Sequence, residues 1–229
     1  MYLNLLLAII INTIGSVDEL IENLQLQINK ICSILEKSLD SFNKFIPLSY
    51  YSPEIIKSGI KKFNNLKYYL DTSSAEGINN IIDRTSISYN KKPSRANMQP
   101  LINSVWFARM KDTNKKLFIT KDDKDLISKY IFSTGFLGIK ASSKLPLSLL
   151  SAFIISKNFE NRKNLFCVGS TMSSINNKTF FKILVPLLSE NEMKEYDKKY
   201  EKFIFLLSLY RRKIDILKNI KLILLNKYF

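Results

Sequence analysis

Two apolar seams, one at each end of the chain, constrain its fold more than any other feature. Leu3, Leu7, Ile10, Ile14, Val17, Ile21, Leu24, Ile28, Ile31, Leu35, Ser38 and Phe42 alternate in steps of four and three residues, with a single polar position among them. That spacing keeps one face of a helix apolar for roughly 60 Å at about 1.5 Å per residue. Gly15 falls off the seam and is a tolerable weak point. Met193, Tyr196, Tyr200, Phe203, Leu207, Tyr210, Ile214 and Leu217 repeat the alternation, and Ile220 and Leu224 continue it after a small register shift. Two helices this long are most simply paired with each other or with a partner's helices, as a coiled coil. A long core helix of a bundle shares the pattern.

The apolar run from Leu3 to Ile14 has neither a basic leader nor a small-residue cleavage site, and it is shorter than the roughly 20 residues a membrane span needs. A helix seam explains it better than an anchor does.

Between the seams the period changes. Tyr68 to Asp71, Ile78 to Ile82, Ser104 to Met110, Lys116 to Thr120 and Tyr130 to Ser133 read as strands, and Leu145 to Ser156 reads as a helix. The expected fold class is α+β: one strand-rich domain over 46–190, flanked by a helix over 1–45 and another over 191–229. In the strand from Ser104 either Trp106 and its alternate neighbours or Phe107 and its own face inward.

The charge divides along the same lines. The formal net charge is +15, and residues 46–190 hold 22 Lys and Arg against 10 Asp and Glu, a net of +12. The flanks carry −2 and +5. A basic lipid-binding arm would concentrate cations on an amphipathic helix, so the distribution favours nucleic acid over membrane. Lys198, Lys199, Arg211, Arg212 and Lys213 read first as a solvated helix face.

Catalytic constellations are scarce. The chain has no histidine, which excludes Ser-His-Asp and Cys-His arrangements and any histidine base. Six glycines leave little from which to build a phosphate loop, and no dinucleotide, P-loop or adenine-methyltransferase motif is present. Asp71, Asp83 and Asp112 show no diagnostic spacing. Cys32 and Cys167 form no CxxC and read as reduced, mostly buried thiols of a cytoplasmic protein. No cofactor and no metal is expected.

The segment holding Lys91, Lys92, Ser94, Arg95, Asn97 and Gln99, broken by Pro93 and Pro100, offers cations for phosphates together with side chains that match base edges. A polar surface loop would look the same. Arg109, Lys111, Lys115 and Lys116 sit on and after the strand from Ser104, placed to grip phosphates, whereas Trp106 and Phe107 suit a core.

Three runs carry a family resemblance: PSRANMQPLINSVWFARMKDTNKKLF from Pro93 to Phe118, ISKYIFSTGFLGIK from Ile127 to Lys140, and GSTMSSIN from Gly169 to Asn176. In order and spacing they resemble the landmarks of target-recognition domains in specificity subunits of type I restriction-modification systems. NTIGSVDELIENLQLQINKI from Asn12 to Ile31 and ILKNIKLILLNKYF from Ile216 to Phe229 are similar to that family's two conserved helices.

The resemblance implies a non-catalytic subunit that reads double-stranded DNA and directs methyltransferase subunits, and a restriction subunit where one joins, to a bipartite site. S-adenosylmethionine, ATP and magnesium would belong to those partners. The family usually has two recognition domains and this chain has one, so the resemblance implies a half-length subunit that works as a homodimer or pairs with another specificity fragment. Carried over by position, the DNA-contact set is Lys91, Lys92, Arg95, Asn97, Arg109, Lys111, Thr134 and Thr171. Gly135 and Gly169 are expected to make turns that present Ser133, Thr134, Ser170 and Thr171. The alternative is an assembly protein that uses the helices as a scaffold and the basic domain for solubility.

Overall fold

The computed structural model describes residues 2–169 and 173–228, with side chains in the first helix from Ile10 onward. The chain opens with α1 (Tyr2–Lys37) and continues through β1 (Phe45–Pro47), β2 (Glu54–Ile55), β3 (Lys67–Leu70), β4 (Ala75–Glu76), β5 (Asn80–Ile81), β6 (Thr85–Ile87), β7 (Ala96–Met98), β8 (Ser104–Ala108) and β9 (Lys116–Ile119). Then come α2 (Lys124–Lys129), β10 (Tyr130–Ser133), β11 (Phe136–Lys140), α3 (Leu147–Ile155), α4 (Lys157–Phe166), α5 (Asn177–Phe180), β12 (Leu184–Pro186) and α6 (Glu190–Tyr228).

The expected strands near 68, 104, 116 and 130 and the expected helix near 145 all form within two residues of their expected bounds. The expected strand at 78–82 also forms, as the short β5 of a small β4–β5 hairpin. Its turn needs left-handed backbone at Gly77 and Asn79, with φ of 53° and 58°.

Strand β8 explains the layering. Its five residues Ser-Val-Trp-Phe-Ala are all buried, because both faces of its sheet, ordered β2-β11-β8-β9, are covered. Val105 and Phe107 join Phe118, Leu137 and Ile139 in a core shared with the helices. Trp106 and Ala108 join Leu70, Met98, Leu117 and Phe132 in a second core, against the sheet ordered β6-β3-β10-β7. The question of which face of β8 turns inward therefore resolves as both. Gly138 of β11 makes room for Trp106, since a Cβ there would lie 2.5 to 2.7 Å from the indole ring.

Helix α3 is apolar on nearly every side and is buried from Ser148 to Ile155, between the β2-β11-β8-β9 sheet and the two long helices. Ser189 and Glu192 form a capping box that fixes the start of α6.

The two seams close on each other. Asp18 midway along α1 binds Lys221 near the end of α6 at 2.6 Å, and Ser38 just past α1 shares a hydrogen bond with Tyr196, so the helices run antiparallel. Ile10, Val17, Ile28, Ile31 and Leu35 are buried, as are Tyr196, Leu207 and Ile214. Ile220 departs from the expected seam and is exposed. Burial of Leu3 and Leu7 lies outside the described side chains. Among the described residues, no helix is long and apolar enough to cross a membrane.

Candidate nucleic-acid interface

The turn between β10 and β11 connects the two sheets, and its backbone ties together segments distant in sequence. Thr134 donates its N–H to the Arg95 carbonyl at 2.9 Å, and Arg109 donates its own to the Gly135 carbonyl at 2.9 Å. Ser133 is buried and its hydroxyl accepts from Gly135 N at 3.1 Å, so it shapes the turn and presents no group to solvent. Gly135 lies close under Thr72, where a Cβ would come within 3.0 Å of the methyl group.

Arg95, Thr134 and Arg109 are thereby set side by side at this turn, with Asn97 two residues past Arg95 on β7 and Lys111 two residues past Arg109. Arg95 and Lys111 are exposed, whereas Asn97, Thr134 and Arg109 are half-buried. Thr134 and Arg109 line an open cleft of about 750 Å³ with Lys57, Ser58, Met98, Asn177 and one carboxylate, Glu54, which pairs with Lys140 at 3.8 Å. Lys91 and Lys92 sit on the 3₁₀ turn and residue that lead into β7, outside this cleft. Thr171 and Ser170 lie outside the described residues. The chain beside them is tied to the segment after β8, because Lys111 N donates to the Ser173 carbonyl at 2.9 Å.

Arg109 is held by the protein. Its Nη1 donates to Asn177 Oδ1 at 3.0 Å and to the Ile175 carbonyl at 3.3 Å, and its Nε donates to the Phe136 carbonyl at 3.3 Å. Burial pushes its guanidinium down from its ordinary value, with no counter-charge among the causes. It brings a fixed positive charge to the cleft wall.

Several sequence expectations change here. Lys116 is buried and paired with Glu160 at 3.3 Å, and the same half-buried carboxylate holds a second buried lysine, Lys163, at 2.7 Å. Lys116 is therefore no phosphate grip. Lys115 donates to the Thr72 carbonyl at 2.6 Å and is likewise committed to the fold. Gln99 donates to the Ile127 carbonyl at 2.8 Å, which removes it from the readers. Arg211 belongs to no solvated face: it is 1% exposed and paired with Asp123. Arg212 donates to the Asp122 carbonyl at 2.6 Å. Trp106 and Phe107 are core residues, as their chemistry suggested; Trp106 stands edge-on to Phe132 at 5.0 Å.

Sequence reading missed Lys57 and Asn177 as members of this cleft. One signal was available: no Asp or Glu occurs from residue 55 to 70, and none from 84 to 111. Among the described residues, no group of three or more His, Cys, Asp or Glu side chains is placed to hold a metal.

The sequence matches no family model and no curated protein. Solved structures do match the fold. The HsdS subunit from Thermoanaerobacter tengcongensis superposes with a TM-score of 0.52 at 18% identity, over 74% of this chain and 44% of that one. A chain from a structure concerned with complex assembly and conformational transition of the type I R-M system gives 0.51 at 19% identity, with the same coverage. This chain has an HsdS-like fold. In that HsdS-like fold the candidate edge is the end of the strand-rich domain where the β10–β11 turn meets β7 and β8. The chain spans less than half the length of both HsdS-type neighbours.

Proposed function

We propose that the chain is a non-catalytic, sequence-specific double-stranded DNA recognition subunit of a type I restriction-modification system, and that it brings adenine methyltransferase and restriction subunits to a bipartite site. The observation that carries this reading is the meeting of Arg95, Thr134 and Arg109 at the β10–β11 turn, with Asn97 and Lys111 close by in sequence and no carboxylate between residues 84 and 111. Cations there meet phosphates while the planar groups of Arg95 and Asn97 suit guanine and adenine edges in the major groove. Lys91 and Lys92 extend the same charge outward. Thr171, outside the described residues, is the remaining member of the contact set.

The chain works as a half-length subunit, in a homodimer or paired with another specificity fragment. Because the seams close within the chain, the surface offered for that pairing is the outward stripe Ile216, Ile220 and Ile223 on α6, which is 41–64% exposed. A stable monomer in solution at micromolar concentration, alone and with a methyltransferase subunit, would rule the pairing out.

The direct test combines the chain with a type I methyltransferase subunit and S-adenosylmethionine on a random DNA library. The reading requires adenine methylation at one motif, dependent on the chain. Methylation without the chain, or methylation with no motif, refutes it.

A further inference from the structure

Beside Lys91 and Lys92 of the contact set lies a basic loop, 56–67, that the set leaves unused. The loop 56–66 follows β2 and is held to β11 where Ile56 N donates to the Gly138 carbonyl at 2.8 Å. It is pinned again where Gly59, at φ 131°, donates to the Asn97 carbonyl at 2.8 Å. These two bonds carry the loop alongside β7, whose Asn97 lies two residues past Arg95.

The loop is stiff where it carries charge. Phe63 stands edge-on to Tyr89 at 5.4 Å, Lys67 Nζ lies 5.4 Å above Phe63, and Lys92 Nζ lies 6.0 Å above Tyr89. Ile60 and Phe63 pack on a small core of Tyr69, Ile87, Ala96 and Ile131. Lys61 and Lys62 stand exposed on this base. Among the described residues no ion pair includes Lys61, Lys62, Lys67, Lys91 or Lys92.

Lysines held together without counter-charges repel one another, and a line of phosphates relieves that repulsion. Lysine is a point charge without the planar fork that reads a base edge, so it suits phosphate oxygens. We propose that the loop 56–67, with the turn at Lys91 and Lys92, grips the phosphate backbone of duplex DNA next to the bases that Arg95 meets. It supplies the sequence-independent share of binding. The proposal rests on the DNA-recognition reading for its location, but its test is separate.

The test titrates the full-length chain against a labelled random-sequence duplex, and against a duplex enriched from that pool, across a salt series. The variants are Lys61→Gln with Lys62→Gln, and Lys61→Arg with Lys62→Arg. Both pairs are exposed, so an unchanged unfolding midpoint serves as the folding control. The Gln pair should bind both duplexes several-fold more weakly, with the slope of log affinity against log salt shallower by about 2, roughly one unit per lysine. The Arg pair should keep the wild-type slope.

Salt-sensitive wild-type binding with an unchanged slope in the Gln pair overturns the loop's role and leaves the recognition reading standing. A loss confined to the enriched duplex also overturns it, by making the loop a base reader. A wild type that binds every duplex alike, yet loses slope on substitution, keeps the loop's role and sinks the recognition reading.

Discussion

Arg211 of α6 and Asp123, the residue before α2, form an ion pair sealed from solvent, with side chains 1% and 0% exposed. Arg211 also donates to the Phe118 carbonyl at 2.9 Å and to Asn79 Oδ1 at 3.1 Å. Asp123 accepts from Thr120 N at 2.7 Å and from the Ser208 hydroxyl at 2.7 Å. Asn79 closes the network by donating to the Leu207 carbonyl at 2.8 Å. One polar cluster thus bolts the β4–β5 hairpin, β9 and the loop before α2 onto the long C-terminal helix. It fixes how the strand-rich domain sits on α6.

Removing one partner of such a pair strands the other charge inside the protein. Arg211→Met should therefore cost about 3–5 kcal/mol of unfolding free energy, read from urea denaturation. Arg211→Lys should recover only part of this, because a single ammonium cannot reach Asp123, Asn79 and Phe118 as the fork does. An Arg211→Met protein as stable as the wild type would show that the cluster does not hold the helix.

The same helix carries a carboxyl of opposite behaviour. Burial pushes Asp123 up, but Arg211, with the donors on Thr120 and Ser208, outweighs it and holds the carboxyl below its ordinary value of 3.8. Its contribution is present above that value and is lost as pH falls through the lower folded-state value. At Asp215 burial wins over Arg211, Lys218 and Arg84, and the carboxyl is raised above 3.8. A raised carboxyl favours the protonated form in the fold, so its ionisation weakens the fold as pH rises past that range. Asp215→Asn should accordingly raise the thermal midpoint at neutral pH, with the gain disappearing in acid below 3.8. A gain independent of pH would contradict this assignment.

At the candidate interface, Arg95 and Lys111 should separate in kind. If Arg95 reads a base edge, Arg95→Ala relaxes preference at one base position, at a cost of about 1–3 kcal/mol. Lys111→Ala should weaken all sequences alike. Competition binding with single-base variants of an enriched duplex measures both. Equal losses on every sequence from Arg95→Ala would reduce it to a phosphate contact.

Much of the framework was legible because it is written in periods. The four-three seams yielded both long helices, and the alternation around Tyr68, Ser104 and Tyr130 yielded three strands near their bounds. Strands of two or three residues such as β2, β6 and β12 carry too few residues for any period to show, and their partners fix them. The lysines misled for a related reason. Nothing local distinguishes Lys116, which faces Glu160, from Lys111, which is exposed, because the difference is made by a carboxylate 44 residues downstream. Arg211 likewise looked like one member of a basic run, since its partner Asp123 comes from the far side of the domain. The edge itself was partly legible: Arg95, Thr134 and Arg109 were named separately, and the backbone bonds of the β10–β11 turn set them side by side.

The most direct test of the account is selection of duplexes from a random library by the chain reconstituted with a methyltransferase subunit. The account predicts enrichment of a single bipartite site, split and palindromic if two copies of the chain read it and asymmetric if a second specificity chain contributes. Salt-sensitive retention of DNA with no enriched sequence, or no retention at all, would contradict it.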